Sequence, residues 1–175
     1  MIVPFSVKPK ASNDRAKYAA IACLGSALIF IAIYMLMPQY KWVPGIIILA
    51  FVTAAIFIYN KYISAIYAYD IIMDSNSEPI LVIRQIVGRR ETTLCRVDVS
   101  AITNVKRLDK NDKKAYVPEN GVLRYSYYPT MSPDTVVLVK VRSVSEKADI
   151  FLELTDEHIA LLNRYAEEAR GTFEV

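Results

Sequence analysis

His158 is the only histidine in the 175 residues, so any Ser-His-Asp or Cys-His nucleophile would have to use it. It stands in the first turn of a predicted helix, where a solvated polar side chain is the simpler reading. Cys23 and Cys95 lie far apart in segments of different character, with no Cys-x-x-Cys pair. They make neither a zinc set nor a disulfide scaffold, and both read as small apolar fillers. No Gly-x-x-x-x-Gly-Lys-Ser/Thr stretch is present, and Gly88-Arg89-Arg90 reads as a turn. The carboxylates show no paired spacing for acid–base work. The expectation is a chain that is not an enzyme and that uses no cofactor and no metal.

Three sets of residues suit binding. Arg89 and Arg90 on one predicted turn, and Lys106, Arg107, Lys110, Lys113 and Lys114 around another, offer positive charge to an anionic headgroup or an acidic partner. Each such residue contributes only about 1 kcal/mol near a membrane, and Asp109 and Asp112 interrupt the second cluster. The tyrosines Tyr125, Tyr127 and Tyr128, followed by Pro129, suit an interface because the ring buries area while the hydroxyl stays hydrated. Strand alternation turns Tyr125 and Tyr127 to the core and leaves Tyr128 exposed. The third set is aromatic and belongs to the elements that carry it: Tyr18, Tyr40, Trp42, Tyr59 and Tyr62 flank two apolar runs, as residues at headgroup depth do.

Those runs dominate the N-terminal third. Residues 18–37 and 43–60 carry no formal charge, and a 20-residue helix spans about 30 Å, the thickness of bilayer hydrocarbon. The five-residue link 38–42 makes them an antiparallel transmembrane hairpin. Pro44 falls in the first turn of the second helix, where its missing N–H costs nothing. Gly25-Ser26-Ala27 and Thr53-Ala54-Ala55 are small enough for close helix approach. An apolar share of 54% and a mean hydropathy of +0.25 exclude a disordered chain. The net charge of +3 divides as +3 over residues 1–17, +1 over 18–59 and −1 over 60–175, so it describes a short basic arm. No basic face remains for nucleic acid. Lys8, Lys10, Arg15, Lys17 and Lys61 lie at one end of the hairpin and Lys41 alone at the other, which places both termini in the cytoplasm.

From residue 63 the pattern becomes β-like. Runs at 64–73, 79–87, 92–99, 101–108, 135–143 and 149–154 read as strands, with turns at 74–77 and Gly88 and a polar connection at 144–148. Residues 109–114 read as a charged loop. Asn120-Gly121 between 115–117 and 122–128 reads as a hairpin, bringing the count to about seven strands. A helix over 156–170 follows, with Thr155 as N-cap, an apolar stripe of Ile159, Leu162, Tyr165, Ala166 and Ala169, and Gly171 as its stop.

Residues 69–108 (strand, turn, strand ending near Gly88, the basic turn Arg89-Arg90, third strand, then Val97 or Val99 with Ile102 and Val105) and the closing strand and helix resemble bacterial membrane proteins with a PH-like domain. The resemblance covers about residues 64–170 and departs in the polar section 109–134. It implies an α+β membrane protein: a basic arm (1–17), a hairpin (18–62), and a cytoplasmic PH-like domain (63–175) of antiparallel strands forming a partly open barrel or sandwich capped by the C-terminal helix. The expected function is a membrane-anchored binding or scaffolding module that recruits a protein partner. Anionic-lipid sensing through the basic loops, or service as a subunit of a larger membrane complex or enzyme, are the alternatives.

Overall fold

The computed structural model describes residues 5–9, 13–36, 42–74, 78–143 and 147–171. Lys10, Tyr40, Lys41, the turn at 75–77 and the connection at 144–146 lie outside the described residues. The chain divides into two compact units, Ala11–Ala65 with Pro129–Met131, and Met1–Lys10 with Ile66–Tyr128 and Ser132–Val175.

The first unit is a pair of helices long and apolar enough to cross a membrane. Helix α1 spans Asp14–Leu36, and α2 spans Trp42–Ile58 and continues as a π-helical turn, Tyr59–Ile63. Among the less exposed residues of α1, Ala16, Ala20, Cys23, Ala27, Phe30 and Tyr34 recur every three to four positions. Pro44, Ile48, Phe51, Ala55 and Ile58, among the less exposed residues of α2, do the same. This is the spacing of a two-helix seam. Phe30 stacks on Phe51 with ring centroids 5.9 Å apart, and Ala27 and Ala55 are buried, as small residues at a close crossing must be. The opposite faces, including Leu24, Leu28, Met35, Ile46, Leu49 and Phe57, are exposed, and among the described residues between 18 and 58 they carry no charge.

The second unit holds eight described strands in two four-stranded sheets that do not close on each other. One sheet has the order β1(Phe5–Val7)-β2(Ala65–Met73)-β3(Pro79–Val87)-β4(Arg90–Asp98). The other has the order β5(Ile102–Asp109)-β7(Thr135–Arg142)-β8(Lys147–Leu152)-β6(Leu123–Ser126). The N-terminal segment is therefore more than a basic arm. Its residues 5–7 pair antiparallel with β2 in the register Val7↔Tyr69, and Val7 enters the core. The helical hairpin is an insertion between two neighbouring strands of one sheet.

A 3-10 turn, Val99–Ala101, carries the chain from the first sheet to the second, with Val99 and Ile102 fully buried. Helix α4 (Asp156–Gly171) packs on that turn and on β5. It buries Leu162, Tyr165, Ala166 and Ala169, which are four residues of the expected stripe. The Thr155 carbonyl accepts from the Ile159 N–H at 3.0 Å, and Thr155 Oγ1 lies 2.5 Å from His158 Nδ1, so the lone histidine braces the helix start.

The section 109–134 departs from expectation. Residues 110–115 form a short helix, α3 (Lys110–Ala115), and 115–117 are not a strand. The Asn120-Gly121 turn forms, with Gly121 in the left-handed region (φ 78°) and the Val122 N–H bonded to the Glu119 carbonyl at 3.1 Å. No hairpin results, because β6 pairs with β8, in parallel (Leu123↔Ala148). The reason is tertiary. Tyr116 packs edge-on against Phe151 and bonds Asp149, which holds the chain before the turn over the sheet and not within it. In the β7–β8 register, Leu138 sits beside Phe151 and Lys140 beside Asp149. That face, with Leu108 and Val136, is covered by Tyr116 and Tyr128 as a second small core.

Candidate functional site

The β unit holds a cleft of about 270 Å³ between the two sheets. It is lined by Leu94–Asp98 of β4, Ala101, Tyr125 and Tyr127, by β7 and β8 through Val141, Ala148 and Ile150, and by Ser143 just past β7. A β-bulge shapes its β4 wall. Ile83 pairs with Cys95 while Arg84 pairs with Thr93, so Leu94 is the extra residue, and both Leu94 and Cys95 border the cleft. The other wall is aromatic. Tyr125 and Tyr127, two apart on one face, stack in parallel at 5.9 Å and 5°.

The expected division among the tyrosines holds for half-buried Tyr127 and fails for Tyr125 and Tyr128. Tyr125 is 37% exposed at the cleft mouth. Tyr128 instead packs on the second core and carries Lys113 Nζ 4.1 Å over its ring and 2.8 Å from its hydroxyl. The Tyr69 hydroxyl donates to the Tyr127 carbonyl at 2.5 Å, stitching the first sheet to the chain leaving β6. Burial raises the phenol pKa of both Tyr69 and Tyr127, so these groups stay protonated as hydrogen-bond donors across the physiological range. The cleft thus offers phenolic donors, aromatic faces, a thiol and an open strand edge, which suits binding of an extended ligand.

The basic residues singled out in the sequence are divided between the sheets. Arg89 and Arg90 stand exposed at the β3–β4 turn, where Gly88 adopts φ 61°. Lys106 and Arg107 are on β5, and Lys110, Lys113 and Lys114 on α3. Arg107, itself exposed, is ion-paired to Asp156 at 2.5 Å and half-buried Lys113 is held on Tyr128, while Lys106, Lys110 and Lys114 are exposed. At the hairpin, Tyr18, Trp42 and Tyr59 are exposed, and Lys61 lies over the rings of Tyr62 and Phe57 at 5.3 and 5.6 Å. Tyr18, Tyr59 and Tyr62 fall at one end of the antiparallel pair and Trp42 at the other.

Two charged groups were not foreseen. Asp149 is completely buried; it accepts from the Tyr116 hydroxyl at 2.5 Å and from Arg142 at 2.9 Å, and Glu119 lies near Arg142 and Lys140. Burial, with the Asp149 contact, pushes Tyr116 up to about 12. On the first sheet, Arg84 joins buried Asp70 of β2 (Nε to Oδ2, 2.6 Å) and Glu91 of β4, and its own pKa is raised first by the bond to Asp70. The only signal for either was a charge inside a strand pattern. Among the described residues no group of three His, Cys, Asp or Glu is gathered in metal-binding geometry. Comparison of the chain with protein-family models, with curated proteins and with solved structures finds no match in any of the three.

Proposed function

We propose that this chain is an integral membrane protein whose hairpin spans the bilayer and holds a non-catalytic, PH-like binding domain at the cytoplasmic face, where it assembles with a protein partner. The observation that carries the reading is the pair of apolar helices whose outward faces are exposed among the described residues. Exposed apolar surface of that extent needs lipid or protein around it. The β1–β2 pairing supports the topology, because two strands of one sheet share a compartment and so require an even number of crossings between them. The cytoplasmic side follows from Lys8, Arg15, Lys17 and Lys61 at the strand end of the hairpin.

The PH-like reading rests on the β2-β3-β4 meander, the second sheet entered through a tight turn, and the terminal helix. Strand β1 and the parallel β6 are departures from it. Lipid sensing is the weaker reading, since Arg107 and Lys113 already have partners within the domain. The test is fractionation: the chain should stay in the membrane pellet through an alkaline carbonate wash and leave it only in detergent. Release by carbonate would refute the anchor. In mild detergent, a solitary monomer with nothing co-purifying would refute the assembly role.

A further inference from the structure

We infer that the cleft between β4 and the Tyr125–Tyr127 pair receives an extended segment of a partner protein, added as a strand to the free edge of β4 and carrying the pattern basic–apolar–acidic–apolar. This deepens the binding role proposed above and rests on it. Strand β4 ends its sheet, so among the described residues no strand pairs with its outer edge. The cleft touches five consecutive β4 residues, Leu94 to Asp98. Side chains alternate between faces, so a cavity bordered by both parities runs along the strand's edge and meets its backbone. An edge of unpaired N–H and C=O groups is the surface that strand addition uses.

Size and charge specify the occupant. The volume of about 270 Å³ falls below the range of drug-sized pockets, about 300–1,000 Å³, and suits one or two side chains of a strand whose backbone lies outside it. Val97 is buried toward the cleft, while Arg96 and Asp98 are exposed. An antiparallel strand, read in its own direction, therefore places a basic residue opposite Asp98, an apolar one beside Val97, an acidic one opposite Arg96 and an apolar one beside Cys95. The apolar pair faces Tyr125 and Tyr127. Opposite charges directly across a ladder stabilise, and like charges destabilise.

The experiment uses the full chain in detergent micelles and two labelled synthetic peptides, Gly-Ser-Lys-Val-Glu-Val-Ser-Gly and its charge-swapped form with Glu-Val-Lys-Val, read by fluorescence anisotropy. The first should bind at least about fivefold tighter, and the Arg96→Glu/Asp98→Lys variant should invert that order. Amide exchange at residues 95–98 should slow with peptide bound. Absence of saturable binding below about 1 mM, or equal binding of both peptides, overturns the inference while leaving the membrane anchor to stand on its own fractionation result. Because Arg96-Val97-Asp98-Val99 itself fits the pattern, light scattering is run in parallel. A dimer that Arg96→Glu dissolves would assign the edge to a second copy and overturn the partner segment.

Discussion

Asp149 has no exposed surface, and its two carboxylate oxygens are satisfied by separate donors, the Tyr116 hydroxyl and Arg142. Removing one donor strands an acceptor away from water. Tyr116→Phe should lower the unfolding free energy by about 1–3 kcal/mol. Arg142→Met should cost more, about 3–5 kcal/mol, because the remaining carboxylate is buried without a counter-charge. Equilibrium denaturation of the two variants checks the order. The phenol also carries a pH signature. Its folded pKa of about 12 lies above the ordinary value of 10.0, so unfolding releases a more acidic group. That contribution is complete below pH 10 and is lost as pH rises toward 12. Tyr116→Phe should flatten this part of the stability profile relative to the parent.

Among the elements, the helix pair and the terminal helix were legible because each has a local signature. Uncharged length marks α1 and α2, and an apolar stripe behind Thr155 marks α4. Strands β3 and β4 were legible through Gly88 between β-rich runs. Helix α3 was not, since Lys-Asn-Asp-Lys-Lys-Ala has no apolar face and is held by Lys113 on Tyr128. Asn120-Gly121 predicted its turn but not the partner of the strand after it, which Tyr116 and Phe151 decide. The tyrosine cleft was missed for the same reason: a bulge at Leu94 and a parallel pairing of β6 have no local mark. Only part of the small patch in α1 lies in the helix contact. Ala27 is buried in the seam, whereas a Cβ on Gly25 meets nothing within 4 Å. Ala27→Leu should therefore destabilise the hairpin by about 1–3 kcal/mol through overpacking. Gly25→Ala should be neutral or raise stability by up to about 1 kcal/mol. Thermal melts followed by circular dichroism in one detergent compare them.

At the scale of the whole molecule, connectivity constrains topology more tightly than hydropathy does. With Cys23 and Cys95 replaced by Ser, single cysteines at Lys8 and Thr103 should both react with an impermeant maleimide in inverted vesicles and neither in intact cells. Opposite labelling of the two would break the β1–β2 pairing as described. Val7→Asp places a charge in the first sheet's core and should accelerate amide exchange at residues 69–71 without releasing the chain from membranes. The same pairing bears on biogenesis. Phe5–Val7 leaves the ribosome first, yet its partner in β2 is made only after both hydrophobic segments. In the proposed topology, a nascent chain in which only one of the two helices crossed would maroon that first strand across the bilayer and leave a raw sheet border behind, an unfinished product that proteolysis could recognise. Under the proposed function, completing both crossings is thus a precondition for finishing the globular part, and the anchor doubles as a folding checkpoint.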